Sequence, residues 1–558
     1  MWLSVLIFGV LGMKINSAES SKEALPVHVQ IDTTRQVSRT NDRFLCVTMD
    51  WWPGIRDPIW TNKSFWAMDL EKSELLRNAM KALAPVYLRL GGSLQDYVKY
   101  TTEEPKASTI AINNSQGGSL RSTEKEQKQS EPWPNDWKDC SPFRASNQTY
   151  GKLEGGCLHV HKLKEMHEFC VDLGCQLVFG LSYLHGRKLR GEREWYGSWD
   201  PSNAQLLLEY AVKHNLYTLV GYELGNEVDT KGILARFESD VFAHDLKRMR
   251  DILEETYSSS SLPTPLLLGI DTAHYNTSYT NALFDEMPVG TLDGFTYHIY
   301  SLGCAGTVPE EEVTNNILNP TFLDEYRYLA AQVQLDLKAA APQGTQIWLG
   351  EGGGACRSGM AGITDSYISA FWYLDQLGLA ALHGHQTMCR QTFVGGRYAL
   401  LQDPIDGPLN PDYYNALLWR KLMGPQVLSV ATSNTYLRAY AHCTNMPQER
   451  TITLLLLNLD RHKSMNIELA MFGISPNIKN DQDACDARRL EYRMSEVFGD
   501  LHGKQLQLNG KLLYPINHTI IPPMEPLSMS VCDELVLKPM TYAFLVLPHV
   551  LPVCNNDE

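Results

Sequence analysis

Between about residue 45 and residue 425, short apolar runs alternate with longer runs whose apolar positions recur every three or four residues. The short runs at 44–49, 86–90, 176–181, 219–224, 265–270, 294–300, 346–350 and 387–393 predict strands. The longer runs at 71–84, 158–173, 204–213, 240–257, 322–341, 366–377 and 413–422 predict helices. In the first of these, Leu75, Leu76, Met80 and Leu83 fall on one helical face. Repeated strand–helix units imply a parallel sheet, and their number and length suit an α/β fold of the (β/α)8 TIM-barrel type over 45–425. A doubly wound open sheet is the structural rival.

From about residue 426 the texture changes to short alternating runs separated by turn residues, at 436–442, 451–459, 465–469, 489–494, 506–508, 527–532 and 542–547. These predict a C-terminal antiparallel β-sandwich over 426–558. The run 27–32 within 19–44 predicts an N-terminal strand able to join that sandwich. The segment 101–139 is rich in Ser, Thr, Glu, Lys, Gln and Asn, and reads as an exposed insertion in the barrel.

The first residues carry an apolar run, Leu3 to Met13, followed by Asn16-Ser17-Ala18. A signal peptide over 1–18 is expected. A buried strand or a short membrane anchor is the alternative, so any weak membrane association rests on this segment. Five Asn-X-Ser/Thr sequons, at Asn62, Asn113, Asn147, Asn276 and Asn517, and twelve Cys fit a secreted, extracellular, cell-wall or lysosome-like destination. The net charge is −15, from 49 Lys and Arg against 64 Asp and Glu, which disfavours a nucleic-acid or other polyanion partner.

Two segments carry the chemistry. Gly221-Tyr-Glu-Leu-Gly-Asn-Glu-Val228 puts Asn226 and Glu227 where a strand runs into its loop. Ile347-Trp-Leu-Gly-Glu-Gly-Gly-Gly-Ala355 does the same for Glu351. In a parallel barrel both glutamates then stand at the C-terminal face, where active sites are built. Two carboxyls on different strands can cleave a glycosidic bond, one as proton donor and one as nucleophile. A single Glu in such a place is more often a loop charge or an ion-pair partner; the repeated strand–Glu context favours function. Arg89, in mid-strand, needs an acidic partner if it faces inward, with Glu223 and Glu351 as candidates.

The order of motifs resembles the heparanase-like β-glucuronidases of glycoside hydrolase family 79, more closely the plant branch. They are Val47-Thr-Met-Asp-Trp-Trp-Pro53, Leu88-Arg-Leu-Gly-Gly-Ser-Leu-Gln-Asp96, Ser202-Asn-Ala-Gln-Leu-Leu-Leu208, Glu223-Leu-Gly-Asn-Glu227 and His298-Ile-Tyr300. Further on stand Trp348-Leu-Gly-Glu-Gly-Gly-Gly-Ala355, Phe371-Trp-Tyr-Leu-Asp-Gln-Leu-Gly378, Cys389-Arg-Gln-Thr392 and Asn410-Pro-Asp-Tyr-Tyr414. The resemblance implies retaining hydrolysis of β-glucuronides, with Glu227 as acid/base, Glu351 as nucleophile, Asn226 on the sugar 2-hydroxyl and Tyr300 on the nucleophile. It implies sugar contacts at Asp50, Ser93, His298 and Gln391, and carboxylate recognition by Tyr398 with the loop after Glu351. It also implies a Cys443–Cys554 disulfide and no cofactor. The partner is then a glucuronic-acid-containing glycan or a glucuronide conjugate.

Cys356 and Arg357 depart from the family pattern, and Cys356 is expected to be a free structural thiol. Cys140 and Cys157 flank one loop and could pair. His159, His161 and His167 lack metal-ligand spacing, so no metal is expected. Trp51 and Trp52 suit either the core or sugar stacking. A non-catalytic sugar-binding relative and an exo-glycosidase for another sugar, such as an arabinofuranoside, remain the rival functions.

Overall fold

A computed structural model describes residues 24–554 apart from 52–58, 61–62, 65–67, 69, 71, 103–155, 192, 233–234, 342–343, 404–406, 446–450, 473–484 and 549–551. The expected signal peptide, most of the 101–139 insertion, Trp52, Cys140, Asn62, Asn113 and Asn147 lie outside the described residues.

Eight parallel strands close into a barrel. In chain order they are β1 (Leu45–Met49), β2 (Val86–Leu90), β3 (Cys175–Leu181), β4 (Leu219–Leu224), β5 (Leu266–Thr272), β6 (Gly294–Ile299), β7 (Gln346–Gly352) and β8 (Thr387–Arg390). Each expected strand is present, with ends moved by up to three residues. The expected helices are present too, and two more appear, Thr277–Glu286 and Glu310–Ile317. Both are short and mostly polar, so their three-to-four-residue periodicity is weak. Asn276, one of the sequons, is half-buried and caps the first of them, its side chain accepting from the Tyr279 N–H at 3.1 Å. Asn517 stands exposed in a turn.

Alternation along each strand stacks the barrel interior in layers. Cys46, Tyr87, Val178, Leu268, Trp348 and Cys389 form a floor cluster of their own. Two residues further along β1 and β2 come Thr48 and Arg89, which are register partners. Higher still are Asp50 and the strand-end carboxylates. The floor therefore excludes water beneath the polar layer.

The chain outside the barrel forms one continuous sheet of eleven strands. Leu25–Arg39 joins it as expected, antiparallel to Met423–Thr432 but parallel to Met465–Phe472. Both faces are buried. One packs on itself through Val27, Val29, Ile31, Leu454, Leu456, Ala543 and Leu545. The other turns Leu455, Leu457, Tyr492, Tyr542 and Phe544 to the barrel core. Charged contacts cross this junction: Arg438 donates through Nε to Asp375 at 2.6 Å and through Nη1 to Asp324 at 2.8 Å, and Lys504 pairs with Asp365 at 2.7 Å.

Disulfides staple the fold. Cys443–Cys554 forms, as the resemblance implies. Cys157 is disulfide-bonded. Cys356 is not a free thiol: it is bonded to Cys304 and ties the loop after β7 to the loop after β6. That pairing joins residues 52 positions apart, a contact that linear spacing does not signal. Cys46–Cys389 joins register partners on β1 and β8, the seam where the barrel closes. Its separation of 343 residues is the largest in the chain's described disulfides. Replacing both cysteines, Cys46→Ala with Cys389→Ala, should cost up to about 6 kcal/mol by the loop-entropy argument. Calorimetry should show a thermal midpoint several degrees lower; an unchanged midpoint would mean the seam needs no staple.

Candidate active site

The site grows from Arg89. It is fully buried on β2, and its guanidinium fork spans three strands. Nε donates to Glu223 at 2.7 Å, Nη1 to Glu351 at 3.0 Å, and Nη2 to both Asp271 and Asn226 at 3.0 Å. Both acids expected as alternative partners are thus bound at once, with Asp271 added. A buried guanidinium is stable only when such donors are all satisfied.

Around it the strand ends converge. Glu227 lies just past β4 with a left-handed φ of 53°. Its N–H donates to the Asp271 carbonyl at 2.9 Å, which holds this turn in place. His298 of β6 faces Glu227 Oε1 through Nδ1 at 2.9 Å. Tyr300 donates its hydroxyl proton to Glu351 Oε1. One ligating atom each of Glu227, His298 and Glu351 lies within 4.8 Å of the others. The two glutamates therefore share a single pocket at the barrel's C-terminal mouth, and both are largely shielded from solvent.

A second group sits beside it. Gln391, just past β8, donates through Nε2 to Asp50 at 3.2 Å and to the Tyr398 hydroxyl at 3.3 Å. It also bonds Thr48. Gly353 lets the loop after Glu351 pass close here; a Cβ there would meet Tyr398 at 2.8 Å and Tyr300 at 3.1 Å.

Asp50, Asn226, Glu227, His298, Tyr300, Glu351, Gln391 and Tyr398 are thus brought together. Ser93 stands half-buried in the loop after β2, without a hydrogen bond to this cluster. The two ring nitrogens of His298, an expected sugar contact, face Glu227 and Asp271. Trp51 is fully buried, edge-on to Phe179, so it belongs to the core. His167 contacts Thr218 at 2.7 Å, a structural role.

Two participants were missed by sequence reasoning. Asp96 accepts from the Tyr183 N–H at 2.8 Å and the Asn226 N–H at 2.9 Å, which fixes the turn that carries Asn226 and Glu227. Asp271 ends β5 as Glu351 follows the core of β7; a carboxylate closing an apolar strand was the available signal.

Burial and mutual charge divide the carboxyls. Burial, with the charge of Glu351, raises Asp50 to about 7. Burial also raises Asp96 to about 7, against the two N–H groups it accepts from. Burial raises Glu223 to about 8; Arg89 opposes this, and a bond shared with Asp271 adds to it. Burial raises Glu227 as well, against the pull of His298. Asp271 would also rise by burial, but Arg89 and His298 hold it well below the usual carboxylate range. For His298, burial favours the neutral ring, yet Glu351, Asp271 and Glu227 outweigh it and raise the imidazole to about 10. Two cations, Arg89 and His298, thus face the charges of Asp271 and Glu351, while Asp50, Asp96 and Glu223 keep protons toward neutral pH and Glu227 is shifted in the same direction.

A model of "Glycosyl hydrolase family 79, N-terminal domain" matches residues 26–124 and 116–378. This chain belongs to glycosyl hydrolase family 79. It is 34% identical to heparanase-like protein 1 of Arabidopsis thaliana, over 95% of this chain and 94% of that one. It is 31% identical to the baicalin-beta-D-glucuronidase of Scutellaria baicalensis, over 92% and 90%, and 26% identical to mouse heparanase, over 93% of each. Among solved structures, a family 51 arabinofuranosidase from Xanthomonas axonopodis superposes with a TM-score of 0.62 at 12% identity, covering 94% of this chain and all of that one. A 4-O-alpha-L-rhamnosyl-beta-D-glucuronidase from Fusarium oxysporum gives 0.59 at 14%, covering 93% and 100%. At these identities the structures attest the fold alone. The chain is therefore a family 79 glycoside hydrolase on a TIM barrel.

The charge pattern fixes a pH dependence of stability. Asp50, Asp96 and Glu223 release protons near pH 4 when unfolded but near 7–8 when folded. His298 holds its proton to about 10 when folded, against about 6.5 unfolded. Between those values the folded state binds more protons, so stability falls as pH rises. The depressed Asp271 acts the other way only as pH falls below about 4. Scanning fluorimetry should give a higher unfolding midpoint at pH 5 than at pH 8; a midpoint rising over that range would contradict this charge assignment.

Proposed function

We propose that this protein is a retaining β-glucuronidase of the secretory pathway. Glu227 is its acid/base and Glu351 its nucleophile. The observation that carries this reading is the approach of the two glutamates within 4.8 Å across one pocket. Oxygens that near suit double displacement, for which carboxyls stand about 5–5.5 Å apart, better than the roughly 6.5–9.5 Å of an inverting pair. The sugar is inferred from the relatives named for glucuronide cleavage. The secretory route is supported by the disulfides and the sequons.

In the first step Glu351 attacks the anomeric carbon while Glu227 protonates the departing oxygen. Glu227, raised by burial, keeps that proton available. Arg89 and Tyr300 aim the two oxygens of Glu351. In the second step Glu227 takes a proton from water, which opens the glycosyl–enzyme ester. Asn226 accepts from Arg89 through its side-chain oxygen, which leaves its amide nitrogen for the sugar 2-hydroxyl. Asp50, Gln391 and Tyr398 contact the sugar, and Tyr398 with the loop after Glu351 receives the glucuronate carboxylate.

The test is hydrolysis of aryl β-glucuronide, aryl β-glucoside and aryl arabinofuranoside by purified protein, with Glu351→Gln as control. The glucuronide alone should be turned over, the control should lose at least about 1,000-fold in kcat, and NMR should show the β anomer forming first. An α-anomeric first product would overturn the mechanism. Sugar binding without turnover of any substrate would identify a non-catalytic relative. Glu227→Ala should lose little on substrates whose leaving group needs no proton and far more on poor ones. Equal losses would remove Glu227 from the acid role.

A further inference from the structure

Asp271 reaches both glutamates without touching either side chain. Its Oδ2 accepts from Arg89 Nη2 at 3.0 Å, and Arg89 in turn holds Glu351. Its Oδ1 faces His298 Nε2 at 3.4 Å, and His298 in turn meets Glu227. Both facing atoms are buried, and neither makes a formed hydrogen bond. At 3.4 Å the contact is an ion pair rather than a formed hydrogen bond.

The backbone of Asp271 does further work. Its N–H donates to Thr296 Oγ1 at 2.9 Å, and its carbonyl accepts the Glu227 N–H at 2.9 Å. The residue has a left-handed φ of 48° and is wholly buried. Gly350, immediately before Glu351, makes room for it: a Cβ there would lie 2.9 Å from Oδ1. Balancing Arg89 alone does not require this arrangement, since the charge of Glu351 already faces that cation.

We infer that Asp271 is a positioning residue that couples the two catalytic glutamates through Arg89 and His298. The inference rests on the roles proposed above for Glu227 and Glu351. Its logic lies in charge movement. When Glu351 forms its bond to the anomeric carbon, its negative charge is lost to the ester. The bond to the leaving oxygen breaks, that oxygen takes the Glu227 proton, and the charge reappears on Glu227. One negative charge thus moves from the Arg89 side to the His298 side. Asp271 stands between those two cations, holds both in place, and keeps the imidazole protonated where the new carboxylate forms. The groups facing this unit are Arg89, Asp96, Glu223, Glu227, His298 and Glu351.

Asp271→Asn keeps the shape and removes the charge. On an aryl β-glucuronide, kcat should fall at least about 100-fold while KM stays within about threefold. With one buried negative charge gone, protons leave the cluster more readily, and the alkaline limb of the kcat/KM profile should move about one unit lower. A loss confined to KM, or a fall in kcat with an unmoved limb, would overturn the inference. A second measurement uses the full-length wild type with 15N-labelled histidine, the His298 signal being assigned by its absence in His298→Gln. The ring should stay protonated through neutral pH and titrate near 10. Titration near 6.5, the ordinary histidine value, would overturn the inference even if Asp271→Asn does not fold. This readout needs no turnover, so a wild type inactive on every glucuronide would defeat the proposed function and still leave Asp271 testable.

Discussion

A single buried cation organises this active site. Arg89 carries a charge that cannot be shed and sits in the barrel above an apolar floor, so its surroundings must supply acceptors. It draws Glu223 from β4, Asp271 from β5, Glu351 from β7 and Asn226 from the turn after β4. Four groups from three separate stretches of the chain are thereby held to one planar fork. The geometry needed for chemistry is a by-product of satisfying that guanidinium.

The same requirement sets the protonation pattern. More acids crowd the pocket than two cations can balance, and burial makes each extra charge costly. Asp271, which faces both Arg89 and His298, keeps its charge, whereas Glu223 and Glu227 are pushed toward the neutral form. One glutamate able to give a proton and another gripped by Arg89 and Tyr300 therefore arise from placement, not from residue type.

Rigidity around the pocket is covalent as well as polar. Cys46–Cys389 fastens the seam directly below Thr48 and Gln391, and Cys304–Cys356 fastens the loops that follow Tyr300 and Glu351. The eleven-stranded sheet adds an apolar buttress on the far side of the barrel helices. Positions held this firmly suit a reaction in which carboxyl spacing selects the outcome.

The one-dimensional chain determined what repeats or stands beside its own signal. Apolar runs of strand length between helical periods define the barrel, and alternating runs past residue 426 define the second sheet. Glu227 and Glu351 were legible because each follows a strand, and every strand of a parallel barrel ends at the same rim. Asp271 had the same mark but lacked a flanking motif, and the short polar helices Thr277–Glu286 and Glu310–Ile317 left too weak a period. Only the folded chain decided that Arg89 takes three acids at once, that His298 faces Glu227 and Asp271, and that Cys356 pairs with Cys304. Those are contacts between residues 27 to 262 positions apart. They depend on strand register and on competition among buried charges, and neither is written in any local stretch of sequence.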